Sequence, residues 1–318
     1  FVGRSPAVQE IAEYLESHPE AGLTNLGYAE DGHPPGQMLN GAPVLGPLGQ
    51  LRRIATETKP DRIVVGLTER RGRLPVQDLL EMKFAGIPIE EAAAAYEVLR
   101  GRVCGREVRP ADLIFSGTLR PRRELVLLQS LYSTGIALLA TLLTLPLMLL
   151  AALLVKLTSR GPVLYRQTRV GLNGKPFVLY KFRSMYADAE ARTGAIWASK
   201  DDPRITPLGR WLRLLRLDEL PQLFNVLRGE MTIVGPRPER PEFVQVLAEQ
   251  IPYYRQRHSV KPGITGWAQI NYKYGETVED SVVKLEYDLY YIKHLSPALD
   301  VYIIFRTLKT MLRFRGAQ

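Results

Sequence analysis

One cysteine, Cys104, stands among 318 residues. An internal disulfide framework is therefore excluded, and no zinc-ligand spacing can be written. Histidine is almost as scarce. His18, His33, His258 and His294 are scattered, and none has a spacing such as His-Glu-x-x-His that would hold a metal. Each reads as a structural or exposed side chain. No G-x-G-x-x-G follows the first apolar residues, where Gly3 is the lone glycine of its turn. A structural or sensing role there is favoured over a working dinucleotide site. No secretory leader is visible. The chain opens on FVG ahead of a helical pattern, which reads as the end of a strand begun before Phe1.

Charge is what residues 125–155 lack. LVLLQSLYSTGIALLATLLTLPLMLLAALLV is a run of 31 residues without one charged side chain, and such a run reads as a membrane segment. As a straight helix it would be about 46 Å long against a hydrocarbon core of about 30 Å. Pro146 removes a backbone donor in its second half and predicts a kink or break. Basic residues flank both ends, RPRR at 120–123 before it and Lys156, Arg160, Arg166 and Arg169 after it. Basic flanks favour the cytoplasmic face. Two readings stay open on these residues. One is a re-entrant helix that bends at Pro146 and returns to the same face; the other is a single tilted span.

What is present is enough for two folded domains. The composition is 46% hydrophobic and 24% charged, which is not that of a disordered chain. The net charge of +9 is unevenly placed: residues 1–118 carry 13 Lys/Arg and 16 Asp/Glu, and residues 119–318 carry 29 and 17. The basic second part could face nucleic acid, anionic lipid or a phosphorylated substrate. Without a reader motif, and with so long an apolar run, no nucleic-acid partner is expected.

Residues 1–115 alternate in type. Helical periodicity covers Pro6–Ser17, Leu48–Glu57 and Leu74–Ala85; strand-like runs cover Leu23–Tyr28, a short stretch of NGAPVLGPLGQL, Asp61–Leu67 and Ile87–Glu91. Alternating strands and helices predict an α/β fold with a Rossmann-like parallel sheet over 1–118. The segment 119–158 is the membrane helix, and 159–318 is a mainly helical, membrane-associated domain. Within it Thr206–Arg216 and the terminal DVYIIFRTLKTMLRFRG mix apolar and basic residues, as helices lying in a membrane interface do.

Five groups could carry chemistry. In RLDELPQLFNVLRGEM, Asp218 and Glu219 are adjacent with Pro221 behind them, which predicts a helix starting near Asp218 and ending at Gly229. Asp218 could simply cap that helix. Alternatively, a carboxylate can attack a phosphoryl group while its neighbour holds Mg²⁺. In KFRSM, Lys181 and Arg183 would share one strand face and suit a diphosphate; otherwise they are an exposed strand face. In IVGPRPERPEF, Arg237 is fixed between Pro236 and Pro238, with Arg240 beyond. In KPGITGWAQINY, a shaped loop offers Thr265, Gln269, Asn271 and Trp267 to a base or sugar, or is a packed turn. In EYDLYYIKHLSPALD, Asp288 stands among tyrosines, where burial requires a partner.

Taken in order, VLYRQTRVGLNGKPFVLYKFRSM, RLDELPQLFNVLRGEMTIVGPRPERPEF, VKPGITGWAQIN and EYDLYYIKHLSPALD resemble the bacterial sugar transferases, the monotopic phosphoglycosyl transferases, over about residues 125–318. The resemblance implies transfer of a phosphosugar from a nucleoside diphosphate sugar, with uridine the expected base, to a polyprenyl phosphate. It implies a re-entrant helix with Pro146 at its bend. It assigns Asp218 as nucleophile and Glu219 as Mg²⁺ ligand. Lys181, Arg183, Arg213 and Arg237 become basic site residues, Asp288 an acid of open role, and Thr265 and Gln269 substrate-side groups. The first 115 residues look like the α/β domain of the family's large members, which suggests a homodimer. INYKYGETVEDSVVKLEYDLYYIKHLS looks like the exopolysaccharide-associated branch. The implied location is the cytoplasmic face of a bacterial inner membrane. The competing reading is a non-catalytic interfacial scaffold or nucleotide sensor, indifferent to Asp218, Glu219 and Mg²⁺.

Overall fold

In a computed structural model the described residues are 1–69, 71–108, 121–186, 189, 202–272, 275 and 277–312. The chain divides into two compact units, Phe1–Ile114 and Phe115–Gln318. The expectation for the last residues of the terminal helix, and part of that for the basic flank at 120–123, lie outside the described residues.

The first unit is a sheet covered on both faces. Strands β1 (Tyr28–Ala29) and β3 (Ala42–Gly46) pair in parallel, as do β4 (Ile63–Val65) and β5 (Ile89–Glu91). Val2 bridges the two pairs, parallel to Ala29 on one side and Val65 on the other. Ordered across the sheet this is β3, β1, Val2, β4, β5, with β2 (Met38–Leu39) antiparallel at the β3 edge. Strand residues alternate between faces. Val2, Ala29 and Val65 therefore pack with Leu51 and Ile54 of α2 (Leu51–Thr58) and Leu79 and Met82 of α3 (Val76–Phe84). Tyr28 and Ala42 pack on the other side with Val8 and Ile11 of α1 (Pro6–Ser17) and Tyr96 of α4 (Ala92–Arg100).

Two sequence expectations shift here. The strand expected over Leu23–Tyr28 forms only at Tyr28–Ala29. Asn25 Oδ1 accepts from the Gly27 amide, and Gly27 has φ +143°, so the chain turns before it extends. NGAPVL is half of a hairpin: Asn40 and Gly41, at φ 42° and 74°, connect β2 to β3. That two-residue Asn-Gly turn matches the right-handed twist of its strands.

The second unit is built along one helix, α5 (Arg123–Thr158). Pro146 lies inside it without ending it, so of the kink or break expected there the break is corrected: the helix continues through the proline. Gln129, Ser133, Ala137, Met148, Ala151 and Val155 are its buried residues. Their spacings, steps of three or four and one gap of 11 that is a sum of such steps, form a single stripe, about 39 Å long at 1.5 Å per residue. The stripe's middle packs with Leu179, Leu223 and Val226, and its end with Phe182 and Leu212. Large leucines such as Leu131, Leu143, Leu149 and Leu157 face outward. By length and composition α5 is the one described helix able to cross a membrane.

Against that stripe lie a hairpin of β6 (Leu164–Val170) and β7 (Pro176–Phe182), and helices α6 (Pro207–Leu214) and α7 (Gln222–Leu227). The parallel pair β8 (Thr232–Val234) and β9 (Gly263–Thr265) joins them. Thr206 caps α6 by accepting from the Gly209 amide at 2.9 Å. Gly209 has no alternative, because a Cβ there would fall 1.9 Å from the Ser184 carbonyl oxygen. Later come α8 (Pro241–Gln250), α9 (Trp267–Asn271), α10 (Val278–Lys293) and α11 (Pro297–Leu312).

Candidate active site

The Asp218–Glu219 pair sits on a 3-10 turn, Leu217–Glu219, between α6 and α7. The expected helix start at Asp218 is corrected: Asp218 caps nothing, and the α-helix begins at Gln222 behind Pro221. The turn is set by Arg216, which is left-handed at φ 54°. A non-glycine residue in that conformation costs about 1–2 kcal/mol, and such strain persists where surrounding structure over-determines it. Here the Arg216 amide closes on Arg213 and its carbonyl accepts from Glu219. Buried Asn225 ties α7 to β7, taking the Tyr180 amide and donating to Val178. No local pattern around Asn225 marks that role, since its partners lie 45 and 47 residues away.

Lys181, near the end of β7, donates to Glu219 Oε1 at 2.8 Å. The Arg237 guanidinium lies 3.7 Å from the same oxygen. Burial alone would raise Glu219, but Lys181 and Arg237 outweigh it and hold the carboxyl down at about 2. Asp218 goes the other way. Burial raises it, Lys181 pulls it down, the Glu219 charge pushes it up, and the outcome is about 6. Two adjacent carboxyls are thus driven apart in ionisation, the pattern of groups assigned different tasks.

Both carboxylates line a cleft of about 1500 Å³. Arg213, Arg237, Thr265, Gln269 and Asp288 also line it. Arg213 projects from α6 and its charge lowers Asp218. Thr265 shares a 2.7 Å hydrogen bond with Thr307 of α11. Gln269 donates weakly to the Ile264 carbonyl at 3.4 Å, and its Oε1 is buried without a partner. Lys181 and Arg183 both line the cleft as well, but their hydrogen bonds go to different partners. Arg183 is buried just past β7 and donates through Nη2 to the carbonyl and hydroxyl of Ser159, at 2.8 and 2.7 Å, where α5 ends. Asp288 is buried against Arg257, which sequence reasoning missed. One of two arginines in YYRQRHS, it has no periodicity or spacing that would mark it.

Residues 126–314 match the sequence profile described as bacterial sugar transferase. The chain belongs to this family. Among characterised relatives it is 42% identical to a UDP-N-acetylgalactosamine-undecaprenyl-phosphate N-acetylgalactosaminephosphotransferase of Aeromonas hydrophila, across 76% of this chain and 56% of that protein. It is 48% identical to an undecaprenyl-phosphate glucose phosphotransferase of Komagataeibacter xylinus, across 64% and 40%. It is 34% identical to a UDP-glucose:undecaprenyl-phosphate glucose-1-phosphate transferase of Xanthomonas campestris pv. campestris, across 98% and 66%. The chain thus spans 40 to 66% of the length of these three relatives. All the motifs that line the cleft fall within the sugar transferase region.

No group of three or more His, Cys, Asp or Glu side chains gathers among the described residues. Mg²⁺ does not need one, since it binds through one or two carboxylates and takes its other ligands from water and substrate phosphate. Glu219 fits that role: Lys181 and Arg237 hold its carboxyl low despite burial, and both approach its Oε1.

Proposed function

We propose that this chain transfers a phosphosugar from a nucleoside diphosphate sugar, a UDP-sugar, to undecaprenyl phosphate. The observation that carries this is the carboxyl pair split in ionisation at the centre of a basic cleft, in a unit built along an apolar helix. Ionised Asp218 attacks the sugar-bearing β-phosphorus. The bond to the bridging oxygen breaks, and the nucleoside monophosphate leaves with the electron pair. A phosphate oxygen of the polyprenyl phosphate then attacks the same phosphorus. The acyl-phosphate bond breaks, Asp218 regains its carboxylate, and a polyprenyl diphosphosugar leaves. Lys181, Arg213 and Arg237 hold the anionic oxygens and balance developing charge. Glu219 would hold Mg²⁺, which on binding neutralises phosphate oxygens that would repel an anionic nucleophile.

Such a route lets a water-soluble donor and a lipid acceptor use one site in turn. The buried stripe of α5 supports re-entry over spanning. The unit packs along the helix from Gln129, bonded to Asp300, to Val155, and a spanning helix would draw charged elements through the bilayer. On this reading the cleft lies at the cytoplasmic face of a bacterial inner membrane. The first unit is a Rossmann-like domain of structural or regulatory role. The protein works as a homodimer and begins exopolysaccharide or glycoconjugate assembly.

The test is UMP release from a panel of UDP-sugars with undecaprenyl phosphate and Mg²⁺, together with a radiolabelled phosphosugar adduct on the protein. Asp218→Asn should abolish both while the fold survives. Normal turnover by that variant would sink the reading.

A further inference from the structure

Asp288 stands in the wall of the cleft, yet what its carboxylate holds is a protein group. Oδ2 accepts from Arg257 Nε at 3.0 Å and lies 2.8 Å from Arg257 Nη2. Both residues are buried, Asp288 at 1% exposure and Arg257 at 5%. The rest of the guanidinium is engaged as well. Nη1 donates to Tyr254 Oη at 2.8 Å, and Nη2 donates to the backbone carbonyl of Arg237 at 2.9 Å. That carbonyl belongs to the amide between Arg237 and Pro238, flanked by Pro236, so the rings already restrict its rotation. Fixing the carbonyl fixes the peptide plane and the direction in which the Arg237 side chain leaves. Its far end is the guanidinium 3.7 Å from Glu219 Oε1.

We propose that Asp288 serves the reaction only through Arg257, as a positioning residue that fixes Arg237 over Glu219. The proposal rests on the phosphoglycosyl transfer reading. It assigns Asp288 a role other than contact with substrate or metal. Arg257, a planar fork with five donors, can satisfy a carboxylate, a hydroxyl and a carbonyl at once, which a lysine cannot do. Charge burial on this scale is tolerated only when both partners are present, so the pair is a single mechanical element. Removing either half frees the Arg237 carbonyl.

A double-mutant cycle tests this. Asp288→Asn, Arg257→Gln and the combined variant are compared with the parent as the full chain in lipid nanodiscs, with a UDP-sugar and Mg²⁺. The rate of adduct formation on Asp218 is measured. Each single change should slow it about 10- to 100-fold, the scale of a displaced positioning group. The combined variant should be no slower than the worse single, and any change in donor KM or Mg²⁺ dependence that follows from loosening Arg237 should be the same in all three variants. Asp288→Glu, which can still reach Arg257, should recover part of the rate. Multiplying effects, or an altered Mg²⁺ dependence in Asp288 variants alone, would overturn the proposal.

Should the single variants unfold, the apolar pair Asp288→Leu with Arg257→Met removes both charges together. It should recover melting temperature without recovering rate, and recovery of both would equally overturn the proposal. A parent chain that forms no adduct with any donor sinks the transfer reading itself, whereas additive variants of an active parent sink only the role of Asp288.

Discussion

Gln129 and Asp300 meet at 2.8 Å although 171 residues separate them. Gln129 belongs to the buried stripe of α5 and Asp300 to the first turn of α11. The same Asp300 carboxylate accepts from Tyr132 and Tyr291, and Tyr291 also donates to the Val234 carbonyl. One acid thus collects three donors and joins the apolar helix to α10, α11 and β8. No cation shares the carboxylate among these contacts, so hydrogen bonds alone satisfy it.

Asp300→Ala should therefore be costly. It leaves Tyr132 without its acceptor and leaves Gln129 and Tyr291 with their bonds to the Val234 carbonyl, at about 1–3 kcal/mol for each buried group left unsatisfied. A melting temperature lower by several degrees is expected in detergent or nanodiscs. An unchanged melting temperature would show that the network does not hold α11 on α5.

The acid limb of activity should belong to Asp218. Its carboxyl is raised to about 6 by burial, against Lys181 and with Glu219, and only the ionised form attacks phosphorus. The single-turnover rate of adduct formation should rise between about pH 5 and 7 and then level, with an apparent midpoint near 6. Glu219, held at about 2 by Lys181 and Arg237 despite burial, stays ionised throughout and contributes no step in that window. A flat profile from pH 5 to 8 would contradict the assignment.

Lys181→Met removes the closest cation from Glu219 and one that lowers Asp218. Loss of a donor aimed at developing charge costs about 10²–10³ in rate. Adduct formation should fall within that range, and its pH midpoint should move upward because Asp218 loses an attractive charge. Lys181→Arg should retain more activity than Lys181→Met. A midpoint that stays put in Lys181→Met would remove this lysine from the electrostatics of the pair.

Topology has its own measurement. Cysteines placed at Arg122 and Lys156, with Cys104 replaced by serine, should react with an impermeant maleimide from one membrane face. Labelling from opposite faces would make α5 a spanning helix.

Local chemistry made much of this fold legible. Helix α1 occupies the residues its periodicity marks, with Pro6 at its first position, and the carboxyl pair stood out because two acids interrupt a basic stretch. The misses share a cause. Leu23–Tyr28 looked extended because its side chains suit a strand, but an Asn25–Gly27 turn overrides that preference. The 3-10 turn under Asp218 depends on Arg216 being left-handed, a conformation that arginine does not announce. Arg257, Asn225 and Asp300 act through partners 20 to 171 residues away. No window of sequence contains those pairs. Strand periodicity places Lys181 and Arg183 on one face, but it fixes where a side chain starts and not where a long one ends.

That divergence sets a length. Lys181 grips Glu219 and Arg183 grips the end of α5. Two residues of extended chain separate them, about 7 Å at the rise of a strand. The distance of the carboxylates from the end of the apolar helix is then gauged by a short rigid ruler instead of a flexible tether. An insertion of one residue at Phe182 would lengthen that ruler and, by the alternation of a strand, turn one of its two grips to the wrong side.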